Sequence, residues 1–189
     1  MAVKAKNTKA GDKASTNKSA KVDEKSNDEI ASELPVEADV TTDDKADIDP
    51  DSQYQTVLVG QAKTLSAKSK GLIGFELALN TDDKCRYLRM TSNSNGGLFS
   101  KAWVSLDEIF SLLEQQDLDK PFKSSIFKTV IKGGSANNVS FLSAVLRSEE
   151  LGLILKSEKS QFLHLVNPLL VNQRDRLTKL KALPTPALK

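Results

Sequence analysis

One cysteine, one histidine and one tryptophan are spread over 189 residues. With Cys85 alone there is no internal disulfide and no zinc site built on several thiolates, and His164 alone leaves too few soft ligands for most transition-metal sites. No run of about 18 apolar residues occurs, so no membrane-spanning helix is expected. The N-terminus lacks the apolar stretch of a secretion signal. Together these absences predict a reduced intracellular setting, cytoplasmic or nucleoid-like, with no membrane partner and no cofactor.

Residues 1–52 contain no Phe, Tyr or Trp and few bulky aliphatics. Such a segment cannot bury enough apolar surface to offset the entropy of ordering, which predicts a disordered, charged tail over 1–52. Its charge is segregated: six lysines and one acid lie in residues 1–21, and two lysines and twelve acids in 22–52. The tail carries −5 and residues 53–189 carry +7, giving the whole-chain +2. A basic domain behind an acidic segment points to an anionic partner. The acidic block reads either as a solubilising tail or as a pseudo-ligand that competes with a polyanion for its own domain.

Beyond the Asp49-Pro50-Asp51 boundary the chain turns β-rich. Residues 54–65 (YQTVLVGQAKTL), 71–79 (GLIGFELAL) and 85–91 (CRYLRMT) read as strands, separated by the polar connection SAKSKG and the turn NTDDK. After the loop SNSNGG, the stretch LFSKAWVSLDEIFSLLEQQ (98–116) reads as a fourth strand running straight into a helix. Ser105 and Glu108 have capping-box spacing, and Leu106, Ile109, Phe110, Leu112 and Leu113 follow at helical spacing. The pattern then restarts. Residues 126–132, 139–147, 151–158 and 161–166 read as four strands, and Asn167-Pro168 opens a helix over 169–183 that Pro184 and Pro186 stop. The expectation is therefore an α+β domain, 53–189, made of two β-β-β-β-α repeats (54–116 and 122–183) whose antiparallel sheets pack with two helices.

That element order, with the strand-to-capped-helix joints SKAWVSLDEIFSLL and LHLVNPLLVNQ, resembles the Whirly and purine-rich-element-binding families across roughly 54–183. It is also similar to two copies of the positive-cofactor-four type of coactivator, and to Whirly-type RNA-binding proteins of large bacteriophages. The lysine-glycine-lysine motif of plant Whirly proteins is absent, so their oligomer contacts do not carry over. The resemblance implies sheets that bind single-stranded RNA or DNA, with helices packed beneath or between them.

The residues supply an independent case. Single strands bind where cations track phosphates and aromatic faces stack bases. Side-chain alternation places Tyr87, Arg89, Phe99, Lys101 and Trp103 on the outward face of the first sheet, with Lys63, Lys68, Lys70 and Lys84 in or beside its loops. In the second half Lys128 and Lys132 share a strand face, with Arg147 and Lys156 near them in the pattern. Trp103, as a lone and usually largely buried residue type, reads as core or interface ahead of stacking platform. The doubly apolar stretch Leu151 to Leu155 fits sheet-on-sheet packing or a homo-oligomer contact. Two rival functions follow: a structural or assembly protein, viral in setting, that uses the sheets for protein contacts, and an adaptor whose acidic tail recruits a partner.

Catalytic signatures are missing. His164, alternating with Phe162 and Val166, reads as a satisfied, partly buried histidine, and Cys85 as a plain buried thiol. Ser125 to Lys128 fits S-x-x-K without its companion motifs. The loops GGSANN and SNSNGG lack the GK[ST] ending of a P-loop and are expected to precede strands. If the acidic block is a pseudo-ligand, deleting residues 1–52 tightens binding of a labelled single-stranded oligonucleotide at low salt, read by fluorescence anisotropy. Unchanged or weaker binding favours the solubilising role.

Overall fold

The computed structural model describes residues 51–133 and 135–184. All but Asp51 and Ser52 of the charged segment 1–52 therefore lies outside the described residues, as does Pro186. The described part is mixed α and β, with a four-stranded and a three-stranded antiparallel sheet.

The first sheet has the order β1 (Tyr54–Lys63), β2 (Leu72–Asn80), β3 (Arg86–Asn93), β4 (Val104–Ser105). The three long strands lie where alternation places them. Paired residues share a face, so Gly60, Phe75 and Met90 point inward together, as do Leu58, Leu77 and Leu88. Gly60 is required there, because a Cβ at this position would sit 2.4 Å from the Phe75 ring. The opposite face carries Val59, Glu76 and Arg89 in one row and Thr56, Ala78 and Tyr87 in the next. Helix α1 (Leu106–Glu114) follows as expected: Ser105 Oγ accepts the Glu108 N–H at 3.4 Å, and Leu106, Ile109, Phe110 and Leu113 are buried.

The expected fourth strand shrinks to two residues. Residues 98–103 leave the sheet, and Leu98 is 87% exposed. Their amides bond to side chains instead of a ladder: Ser100 N–H donates to Asn138 Oδ1 (3.0 Å) and Ala102 N–H to Ser100 Oγ (3.2 Å).

The second half does not repeat the first. Its order is β5 (Phe122–Lys123), a 3₁₀ helix (Ser124–Thr129), α2 (Asn138–Leu146), β6 (Ile154–Ser157), β7 (Ser160–Val166) and α3 (Leu170–Thr178), with a sheet ordered β5-β7-β6. Two expected strands, 126–132 and 139–147, are thus helical. The stretch VSFLSAVLR suits either state, since Val139, Leu142, Val145 and Leu146 also recur at helical spacing. A helix apolar on nearly every side must be covered on nearly every side. Here α2 packs against the 3₁₀ helix, β1 and β2. One contiguous core joins Phe75 and Leu77, Ile109 and Phe110, Phe127, and Leu142 and Leu146, so the two halves share their interior.

Helix α3 is shorter than the expected 169–183. Asn167 Oδ1 accepts the Leu169 N–H at its start (2.9 Å), and Arg86 closes its end. The Arg86 side chain, 9% exposed, donates to the carbonyls of Leu177 (2.8 Å), Thr178 and Leu180 (2.7 Å). A cation there satisfies orphan carbonyls and opposes the negative end of the helix dipole. Arg86→Met should remove these bonds and strand the carbonyls, lowering stability by roughly 2–4 kcal/mol, read as a lower urea midpoint at unchanged m-value.

Candidate nucleic-acid interface

The outer face of the first sheet gathers rings from two strands and the segment before β4. Tyr54 stacks on Trp103 (centroids 4.2 Å apart, planes 19°), and Tyr87 meets Tyr54 edge-on at 5.5 Å. The Arg89 guanidinium lies 4.2 Å over the Trp103 ring. Two groups so close to one centroid must take opposite faces, so the indole is sandwiched between Tyr54 and Arg89. Arg89 is also ion-paired with Glu76 and Asp51, and Trp103 Nε1 donates to Asp51 Oδ1 at 2.9 Å. Glu76 is held in turn by Thr56 Oγ1 (3.1 Å). The indole hydrogen bond, with Arg89 beside it, holds the Asp51 carboxyl below the usual carboxylate range. Tyr87 donates to Asp83 at 2.6 Å, and that bond pushes its pKa up to about 12.

Three sequence-predicted residues, Tyr87, Arg89 and Trp103, therefore do converge, but not as a bare platform. Trp103 has no free ring face and Arg89 no spare charge. Both corrections have one cause: Glu76 faces the cation from the neighbouring strand and Asp51 reaches it from the turn before β1, and opposite charges so placed pair. Tyr54, Asp51 and Glu76 were missed. Register was the available signal, since Tyr54 and Thr56 share a strand face and Glu76 is directly opposite Arg89.

The remaining expected residues are dispersed. Lys101 lies 5.9 Å over the half-buried Phe99 ring, in the segment that has left the sheet. Lys63 ends β1, and Lys68 and Lys70 are exposed in the loop that follows. Nine residue steps along the strand separate Lys63 from Tyr54, about 30 Å. Lys84 is exposed at the other end of the sheet and donates to Thr81 O at 2.6 Å. Lys128 and Lys132 are exposed on and just after the 3₁₀ helix rather than on a strand, and Lys156 is exposed on β6. Beside the ring cluster runs a groove of about 760 Å³, lined in part by Asp51, Tyr54, Thr56, Val59, Leu183 and Pro184.

Arg147 is removed from any interface. It caps α2, and its guanidinium donates to Gln161 O (3.1 Å), Leu163 O (3.2 Å) and His164 Nδ1 (2.7 Å). A guanidinium only donates, so His164 Nδ1 must accept, and the ring proton sits on Nε2, directed at Ser124 Oγ 2.8 Å away. That polarity is the reverse of what a base-activated serine needs. The Cys85 thiol is half-buried beside Asp83. Burial, then that carboxylate, pushes its pKa up, while Arg86 turns away to α3. Among the described residues no group of three or more His, Cys, Asp or Glu side chains is placed to hold a metal ion, and no helix is long and apolar enough to cross a membrane.

Compared with known proteins, the chain matches no family model, no curated protein and no solved structure.

His164 is fully buried, and burial followed by Arg147 lowers its pKa from 6.5 to about 4. Between pH 6.5 and 4 the unfolded chain therefore binds a proton at this residue that the folded chain refuses. Stability from this group is fully present above pH 6.5 and falls by about 3 kcal/mol as pH drops through 4. Urea unfolding at pH 7, 5.5 and 4.5 should show the loss, and His164→Leu should flatten that window.

Proposed function

We propose that this protein is a non-enzymatic binder of single-stranded RNA or DNA, working inside the cell, with little sequence preference. The observation that carries the reading is the cluster of Tyr54, Tyr87 and Trp103 on the outer face of a four-stranded antiparallel sheet. That face stays accessible beyond the cluster, with Val59 60% exposed and Gln61 and Lys63 exposed beside it. The first half keeps the β-β-β-β-α order expected from the sequence and the second half departs from it, so the reading rests on one sheet rather than two. Most phosphate contacts fall to lysines: Lys63, Lys68 and Lys70 at one end, Lys84 at the other, and Lys101 over the Phe99 ring. Lysine acts on phosphate as a point charge, which suits binding without sequence readout. A helix in a duplex groove is disfavoured, because the face α2 would need is buried on β1 and β2.

The assembly reading has its own support on the second sheet, where Phe162 and Leu155 are 51% and 42% exposed. Exposed apolar side chains mark a partner surface where they join into one patch, which is what this reading requires of them.

Titration of a labelled 20-mer of deoxythymidine or uridine at about 50 and 200 mM salt separates the two. The nucleic-acid reading expects binding that weakens steeply with salt and quenching of the single tryptophan. Lys63→Glu with Lys101→Glu should weaken binding about tenfold or more at the lower salt with unchanged circular dichroism. No binding at low salt by either probe ends this reading in favour of assembly.

A further inference from the structure

We infer that the Arg89 guanidinium and the Trp103 indole N–H form a site for one backbone phosphodiester of a single strand, and that the chain's own Asp51 carboxylate occupies this site. The inference rests on the function proposed above and names where on the sheet the strand engages.

The geometry is that of a preorganised pair of donors. One Asp51 oxygen takes the indole N–H (2.9 Å) and the other takes Arg89 Nη1. Glu76 holds Arg89 through Nε, leaving Nη1 directed at the carboxylate. Tyr54 on the far face of the indole fixes the ring. Donors locked by packing and by partners behind them bind an anion without further ordering cost.

A phosphodiester offers what the carboxylate offers, two acceptor oxygens and one negative charge. Exchange therefore leaves the balance around Arg89 and Glu76 unchanged, whereas simple departure of Asp51 leaves both donors unmatched. The Asp51 side chain is 42% exposed, so the pair is open to solvent on that side. A strand lying along the neighbouring groove meets this carboxylate at its rim. Asp51 lies three residues before Tyr54, and this short tether keeps the competitor at high local concentration. The strand phosphate and the Asp51 carboxylate are then alternative occupants of one site.

The test uses the full chain and Asp51→Asn, which keeps the side-chain shape and removes the charge. With a labelled 20-mer of deoxythymidine, the variant should bind about fivefold tighter at low salt, because the site is no longer partly closed. Its log–log salt dependence should be steeper by about 0.7, one more phosphate being neutralised without a carboxylate leaving. Equal affinity and equal slope overturn the inference and leave the proposed function standing. Absence of binding by both chains overturns the function and this inference with it. A second measurement does not depend on the variant folding: in the unaltered chain, the single indole N–H resonance should move on adding the 20-mer. If the oligonucleotide binds and that resonance stays put, the site is elsewhere. Inorganic phosphate at the same phosphate concentration should leave it nearly unmoved, and an equal shift would make the ligand a free anion rather than a strand.

Discussion

The fold depends on covering the inner face of the first sheet. Ile73, Phe75 and Leu77 on β2 and Leu88 and Met90 on β3 form a broad apolar surface that is almost wholly buried. At about 25 cal/mol per Å² that burial is a dominant favourable contribution. Helix α1 covers one flank, against β3 and β4, and α2 covers the other, against β1 and β2. This second contact ties the two halves of the chain together. It also explains why α2 carries almost no exposed polar side chains: sheet lies on one side and the 3₁₀ helix on another.

The distribution of cations follows a related logic. All five arginines are engaged. Arg86 closes α3, Arg89 sits between Glu76 and Asp51, Arg147 holds two β7 carbonyls and His164, Arg174 bridges Glu114 and Asp107 of α1, and Arg176 bonds Gln173 and the Glu150 carbonyl. The planar fork of a guanidinium matches carbonyls and carboxylates, and its weaker hydration lets it be half-buried. Lysine is more strongly hydrated and stays outside. The positive charge of the domain therefore has two populations, arginine spent on architecture and lysine left at the surface. A polyanion meeting this protein meets mostly lysine, which attracts without reading sequence.

The ring cluster shows how aromatic residues on a sheet face serve stability and recognition together. Tyr54, Tyr87 and Trp103 shield Ala78, which is fully buried although it faces outward. Such clusters add about 0.5–1.5 kcal/mol per ring pair beyond area burial. They also leave hydrogen-bonding edges, the indole N–H here, at the boundary with solvent. It is this edge, more than a bare ring face, that Asp51 engages.

Much of this protein was legible along the chain. The charge-segregated segment 1–52, the three long strands, the capping of α1 by Ser105 and the last strand of the second sheet are encoded by near neighbours, through side-chain alternation and capping spacing. Local chemistry is enough where one periodicity alone fits. Tertiary structure decided the rest. Residues 139–147 satisfy both periodicities, and only the sheet and the 3₁₀ helix around them select the helix. Residues 98–103 had strand composition, yet Asn138, 38 positions from Ser100, claims the amide a ladder would have used. Arg89, Arg147 and Trp103 were visible as a cation, a cation and a ring. Whether each stays free depends on Asp51, Glu76 and the β7 carbonyls, partners distant in sequence that only the folded chain brings within bonding distance.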